Sequence, residues 1–158
     1  MGVTLPSLSV MPAQSWIGAH ESPMRFLAID INHGPGDVEW WALEPNHTEK
    51  LYEDMRKNFK IDIYQNEAWW PDPNFLLARG YSVNYGVQKP GDMALLSYGT
   101  MHWYRAESPS VHTSWNIAPK TVAALSKALA RAELNRSIEY ISTIHISTLS
   151  MHLLNSEL

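Results

Sequence analysis

The sequence predicts a mainly β fold, an antiparallel barrel or sandwich with helices added in one insertion and at the C-terminus. Three observations carry that expectation. Short segments of alternating apolar and polar residues recur along the chain. Gly- and Pro-rich turn signals separate them at intervals of roughly 10 residues. Helical periodicity is confined to one stretch after Asn46 and to the region after Pro119. The chain has 158 residues, of which 45% are hydrophobic, enough for one core, so a single globular unit is expected.

Met24 to Asn32 places Met24, Phe26 and Ala28 on one parity and reads as the first clear strand. His33-Gly34-Pro35-Gly36-Asp37 is a turn, and VEWWALE is the next strand. From Asn46 the period changes. Asn46 with Glu49 three residues later resembles a helix start, and Leu51, Tyr52, Met55 and Phe59 form an apolar stripe. WWPDPNFLLARG, from Trp69 to Gly80, reads as a loop with one helical turn. YSVNYGV and DMALLSY are strands flanking a second Pro-Gly-Asp turn, and HWYRAE and VHTSWNI follow the Gly99-Thr100 turn as two more. Pro119 then opens a helix with Val122, Leu125, Leu129 and Ala132 on one face. The tail from Ser137 carries Ile138, Ile141, His145, Leu149 and His152 at helical spacing, against the propensity of its Ser and β-branched residues.

Composition excludes several function classes. The net charge is -4 with no basic cluster, so direct nucleic-acid binding has no electrostatic footprint. No run of about 18 apolar residues and no signal-peptide pattern is visible. With no cysteine, disulfides, thiolate metal sites and a Cys nucleophile are excluded, and any metal must be held by His or oxygen ligands. No Gly-x-Ser-x-Gly elbow, phosphate-cradling Gly loop or His-Glu-x-x-His helix occurs. Seven Trp and seven Tyr suggest a packed β core or an aromatic-lined pocket, and composition leaves both open. Two histidines stand out by context: His20 at the entry to the first clear strand, and His102 directly after the Gly99-Thr100 turn. Barrel closure can bring such positions together, and two imidazoles plus a carboxylate suit a non-haem Fe(II) centre. Two unrelated polar residues are the competing reading.

INHGPGDVEWW, EAWWPDPN, KPGDMALLSYGTMHWYRA and SWNIAPKT, in this order, resemble the JmjC domain of the UTX-type histone H3 lysine demethylases. That family carries Gly-Pro-Gly-Asp-x-Glu-Trp, Trp-Trp-Pro, Arg-Pro-Gly-Asp, Gly-Thr-Val-His-Trp and Trp-Asn-x-Gly-Pro at nearly the same spacings. The likeness runs from Leu8 to Leu154 and takes in Trp40, Trp69, Trp70, Trp103 and Trp115. It implies a double-stranded β-helix, the cupin-like jelly-roll barrel, with an inserted helix and C-terminal helices. A single JmjC-like domain over 1–158 is expected, with its barrel at about 8–118 and a helical segment at about 119–158.

The resemblance also implies Fe(II) and 2-oxoglutarate as cofactors, the histone H3 tail as partner beside other chromatin proteins, no membrane, and the nucleus as location. His20 matches the family's first iron ligand and His102 the last, but Ser22 stands where the family has Glu. Glu21 is adjacent, yet neighbouring side chains on a strand point to opposite faces, so only a bulge or register slip would bring it in. The family's co-substrate Lys and Thr fall on Met11 and Ile17, and its Ser and Asn fall on Ala28 and Asp30. Trp40 keeps a co-substrate contact position. Arg105 and Lys120 are the cations that could replace the anchor from another strand. The motifs around Trp69 and Trp115 read as scaffold. No catalytic residue is assigned, and the family's Cys-ligated zinc module is not expected in a chain without cysteine. Two readings follow: a dioxygenase that demethylates histone H3 lysine, or a degenerate JmjC domain that keeps the barrel and binds a partner. A pair of histidines completed by an exogenous anion is a third, remote one.

Overall fold

A computed structural model describes residues 5–66, 68–118, 120–141 and 144–155. Eight strands form two antiparallel four-stranded sheets. The first sheet has the order β1 (Ser7–Met11), β8 (Ser110–Ile117), β3 (Leu27–Pro35), β6 (Met93–Leu96). The second has the order β2 (Trp16–Glu21), β7 (Met101–Ala106), β4 (Val38–Leu43), β5 (Val83–Gln88). Strands adjacent in sequence therefore alternate between sheets except β4 and β5, which pair within the second, the arrangement of a cupin-like jelly roll. Met11, Val38, Trp40 and Ala106, with Ala94, Leu96 and Tyr104 packed on them, fill the space between the sheets.

Strand alternation gives the second sheet two working faces. On β7, His102, Tyr104 and Ala106 share one parity, while Met101 and Trp103 take the other and are fully buried. The outer parity meets the insertion after β4. There α1 (Thr48–Asp54), a π turn over Met55–Phe59 and α2 (Pro73–Ala78) bring Leu51, Tyr52, Met55 and Leu76 onto Trp103. Trp69 and Trp70 border this core as scaffold. A third cluster joins Met24 and Phe26 to Ala128 and Ala132 of α3 (Val122–Ser137) and Ile146 of α4 (Ile146–Asn155).

Several expected boundaries shift for local reasons. The strand expected from Met24 starts at Leu27, because Met24 (φ 53°) and Arg25 (φ 57°) take the left-handed conformation in a 3-10 turn, Pro23–Arg25. His33, Gly34 and Pro35 belong to β3, so the turn shrinks to Gly36 and Asp37. Asn32 ties it: its Nδ2 donates to the Gly36 carbonyl at 2.9 Å, and its Oδ1 accepts from the Gly34 amide at 2.7 Å. The insertion helix begins at Thr48 after a 3-10 turn, Pro45–His47, and Asn46 makes no cap. Glu49 reaches Arg25 instead, at 3.1 Å.

On α3 the buried residues are Ala124, Ala128, Arg131, Ala132 and Asn135, while Val122 is 83% exposed and Leu129 is exposed. Of the expected face Val122, Leu125, Leu129 and Ala132, Leu125 and Ala132 pack on the cluster of Met24 and Phe26, while Val122 and Leu129 face solvent because small alanines allow the helix to approach the Pro23–Arg25 turn. Pro119 lies outside the described residues. The tail helix starts only at Ile146, with Ile141 exposed, and the side chains of Leu149 and His152 lie outside what is described.

Candidate functional site

His20 and His102 face each other across the β2–β7 ladder, as register partners with ring centroids 4.3 Å apart. A register shift between Ile17 and His20 and the Gly99-Thr100 turn set this pairing. Each imidazole donates its Nδ1–H to the carbonyl two residues before it: His20 to Gly18 at 2.9 Å and His102 to Thr100 at 2.9 Å. These bonds fix the same tautomer on both rings, with Nε2 as the unprotonated nitrogen, the form in which imidazole binds a metal. Burial, then the neighbouring His20, push the His102 imidazolium down to about 3, so His102 is neutral at physiological pH.

The carboxylate half of such a centre is not assembled. Ser22 is buried and lines the same cavity as both histidines, but its hydroxyl is a neutral donor. Glu21 points the other way, as alternation dictates. Its Oε2 accepts from Arg25 Nε at 3.1 Å and from Arg131 Nη1 at 2.9 Å, and its Oε1 is buried without a partner. Arg25 also donates to the Tyr64 hydroxyl at 3.2 Å. Among the described residues no three His, Asp or Glu side chains converge on a common metal position. The donor set fits the two-nitrogen half of an Fe(II) site and lacks the anion.

The cavity between the sheets measures about 130 Å³. His20, Ser22, Ala28, Asp30, Trp40, His102, Tyr104 and Asn116 are among the residues that line it. Among the described residues its only Asp, Glu, Lys or Arg is Asp30. A dicarboxylate placed here would meet a carboxylate where it needs a cation. Met11 is core, and Ile17 is 41% exposed. Arg105 is bound to Glu39, with Nε 2.9 Å from the carboxylate, on the face of β7 away from the cavity. Lys120 is exposed and does not border the cavity. The residues present do not fit 2-oxoglutarate.

Sequence reasoning missed what holds Asp30. Trp40 Nε1–H donates to Gln88 Oε1 at 2.8 Å, and Gln88 Nε2 donates to Asp30 Oδ1 at 3.1 Å. His112 Nδ1 donates to the same oxygen at 2.7 Å, and its Nε2 lies 2.9 Å from Ser110 Oγ. Ser110, His112 and Asp30 thus reproduce the hydrogen-bond order of a hydrolase triad. Ser110 is only 1% exposed, so no substrate reaches its hydroxyl. Tyr104 was also missed. It stacks on Trp40 at 4.2 Å, and burial, with the Asp30 charge, pushes its phenol up to about 12. Period-two alternation from His102 on β7 and from Ser110 on β8 is the signal that places these residues inside.

A family model described as "JmjC domain, hydroxylase" matches residues 7–117. Human lysine-specific demethylase 6B is 31% identical over 150 residues, which are 93% of this chain and 9% of that protein. Lysine-specific demethylase jmjd-3.1 of Caenorhabditis elegans is 25% identical over 142 residues, 87% of this chain and 13% of that protein. The chain therefore spans only about a tenth of the length of these relatives. A family match running from the first strand to the last, on a jelly roll that pairs two histidines across its second sheet, shows that the chain belongs to the JmjC family.

Proposed function

We propose that this chain is a JmjC domain of the lysine-demethylase type that acts as a non-catalytic binding module on chromatin in the nucleus, with the histone H3 tail as the partner class the family suggests. One observation carries the reading. The side chain facing the histidine pair at the third ligand position is Ser22, and the nearby carboxylate that could replace it, Glu21, is held on the opposite face by Arg25 and Arg131. Two imidazoles without an anion hold Fe(II) weakly, and an acidic cavity disfavours 2-oxoglutarate. The reading treats residues 1–158 as one domain, the barrel at about 8–118 being tied to the helical segment at about 119–158 through Arg131.

Thermal unfolding with Mn(II), 2-oxoglutarate or both tests this, because a ligand of the folded state alone must raise the midpoint. The expected result is no shift from 2-oxoglutarate at millimolar concentration, and at most a small Mn(II) shift that His102→Ala removes. A shift from 2-oxoglutarate that grows with Mn(II) would overturn the proposal in favour of an Fe(II)/2-oxoglutarate-dependent histone H3 lysine demethylase. That second reading is favoured by the two histidines, which hold the ligand tautomer.

A further inference from the structure

The outer face of the first sheet is apolar and has no use in the function proposed above. Register partners share a face, so Leu95, Ile29 and Trp115 form one row across β6, β3 and β8, and Met93, Ile31, Thr113 and Leu8 form the next across all four strands. Asp30, Asn32 and His112 take the other parity and are buried inside the barrel, so this sheet turns its apolar side outward. Leu8, Val10, Met93 and Leu95 are each at least 60% exposed. None of these outward side chains joins the three apolar clusters on which the helices pack. The second sheet differs, because its outer parity is covered by the insertion.

No Asp, Glu, Lys or Arg stands at an outward position of β1, β3, β6 or β8, and Thr113, the polar residue in the two rows, is bonded to His33 at 2.7 Å. Four strands about 4.8 Å apart, averaging roughly six residues at about 3.4 Å, present on the order of 400 Å² in projection, and side-chain relief raises the accessible area. Monomers rarely expose a contiguous apolar patch beyond about 300–600 Å², whereas each partner of a specific interface contributes about 600–1,000 Å². The face is therefore of the size that one copy brings to a dimer. The chain has a net charge of -4, none of it at these positions, so two copies can meet here with their like charges turned outward. Sheets packed face to face lie about 10 Å apart and within about 30° of alignment, which a two-fold axis through the face allows.

We propose that two copies of this chain associate by packing the outer faces of their first sheets against each other about a two-fold axis. The face lies on the side of the sheet turned away from the histidine pair, so the dimer neither needs nor opposes the non-catalytic reading.

Sedimentation equilibrium of the full chain, from about 1 to 200 µM, tests this. The expected result is a reversible rise in mass from 18.0 kDa to twice that value and no further. Val10→Lys and Leu95→Lys replace exposed side chains on the outermost strands, and each should weaken association roughly tenfold or more by burying a charge against an apolar surface. Leu77→Lys changes an exposed residue of α2, in the insertion on the second sheet, and should leave association unchanged. Urea unfolding checks that each variant keeps the wild-type transition, and if one lysine variant on the face fails to fold the other decides. A chain that stays monomeric throughout overturns the proposal and assigns the face to a different partner. Mass that keeps growing beyond two copies overturns it too, as does a dimer that survives both face substitutions together or is weakened equally by Leu77→Lys.

Discussion

Arg131→Met probes the ion cluster that decides which way Glu21 faces. Glu21 has a 1% exposed side chain and meets two guanidinium groups, each 9% exposed, through one oxygen. Removing one partner from a buried pair costs about 3–5 kcal/mol. Arg25 still neutralises the carboxylate in the variant, so the lower end applies, about 3 kcal/mol. Arg131 also lies 4.0 Å over the Tyr64 ring, a contact that Met replaces only in part. For a domain of this length each kcal/mol moves the midpoint by roughly 2–4 °C, so a fall of about 6–12 °C is expected by calorimetry. Glu21→Met should fall further, since it leaves two buried guanidinium groups without an anion. A combined Glu21→Met, Arg25→Met, Arg131→Met variant should recover much of the loss, because a well-packed apolar replacement of a whole buried ion cluster is often neutral. A midpoint for Arg131→Met within about 1 °C of wild type would refute the reasoning, for it would mean that the cluster is solvated and Glu21 free to turn.

Other outcomes follow from the same geometry. Ser22→Glu places an anion beside the His20–His102 pair and should give a larger Mn(II)-dependent rise in midpoint than wild type, while Glu21→Gln should leave the Mn(II) response unchanged. Gly36→Ala should destabilise by about 1–3 kcal/mol in urea unfolding, because a Cβ there would sit 2.7 Å from the Ser108 Cβ and 2.9 Å from the Pro109 carbonyl oxygen. At Glu39, burial pulls the carboxyl upward, but hydrogen bonds from Arg105 and Tyr85 outweigh it and hold it below its ordinary range. A group lowered on folding contributes its stability above the unfolded-state value and loses it as pH falls through the folded one. Glu39→Gln should therefore cost stability at pH 7 and cost less in acid, read from paired urea titrations at neutral pH and near pH 3.

The strands β3 to β8 were legible in the sequence because their apolar and β-branched runs are short and are bounded by turn residues or by the helical insertion. The first two were not. On β1 the apolar residues Leu8 and Val10 face outward, 73% and 68% exposed, and Ser7 and Ser9 take the other parity, so alternation reads inverted. On β2 the register shift beside Gly18 breaks the period just before His20. The α3 face misled for a different reason. A helix packed close to a turn buries Ala and an ion-paired Arg, which hydropathy scores as the wet side. At the site, His20, His102, Ser22 and Asp30 were found from spacing and resemblance, and strand parity placed Glu21 on the far face. Gln88 and His112 were not found, since nothing local distinguishes them from the other polar residues of their strands and each acquires meaning only from Asp30, 58 and 82 residues away.

Two of the departures from the family pattern, at Ser22 and Asp30, act on one balance of charge. In the family pattern the carboxylate stands at position 22, beside the histidines, and position 30 is a neutral Asn. Here position 22 is a neutral Ser and position 30 an Asp, and both line the same cavity. One negative charge has therefore moved from β2's end to β3, from where it would complete a metal site to where it would repel a diacid. Restoring only Ser22→Glu puts two carboxylates in a cavity of about 130 Å³ without a cation, and one of them should then take up a proton unless metal binds. Ser22→Glu with Asp30→Asn removes that conflict. If the charge balance governs the site, the double variant should bind Mn(II) more tightly at neutral pH than Ser22→Glu alone, although Asp30 by itself would attract the ion. Equal or weaker Mn(II) binding by the double variant would show that the cavity registers total charge and not its position, and would remove the link between the two substitutions.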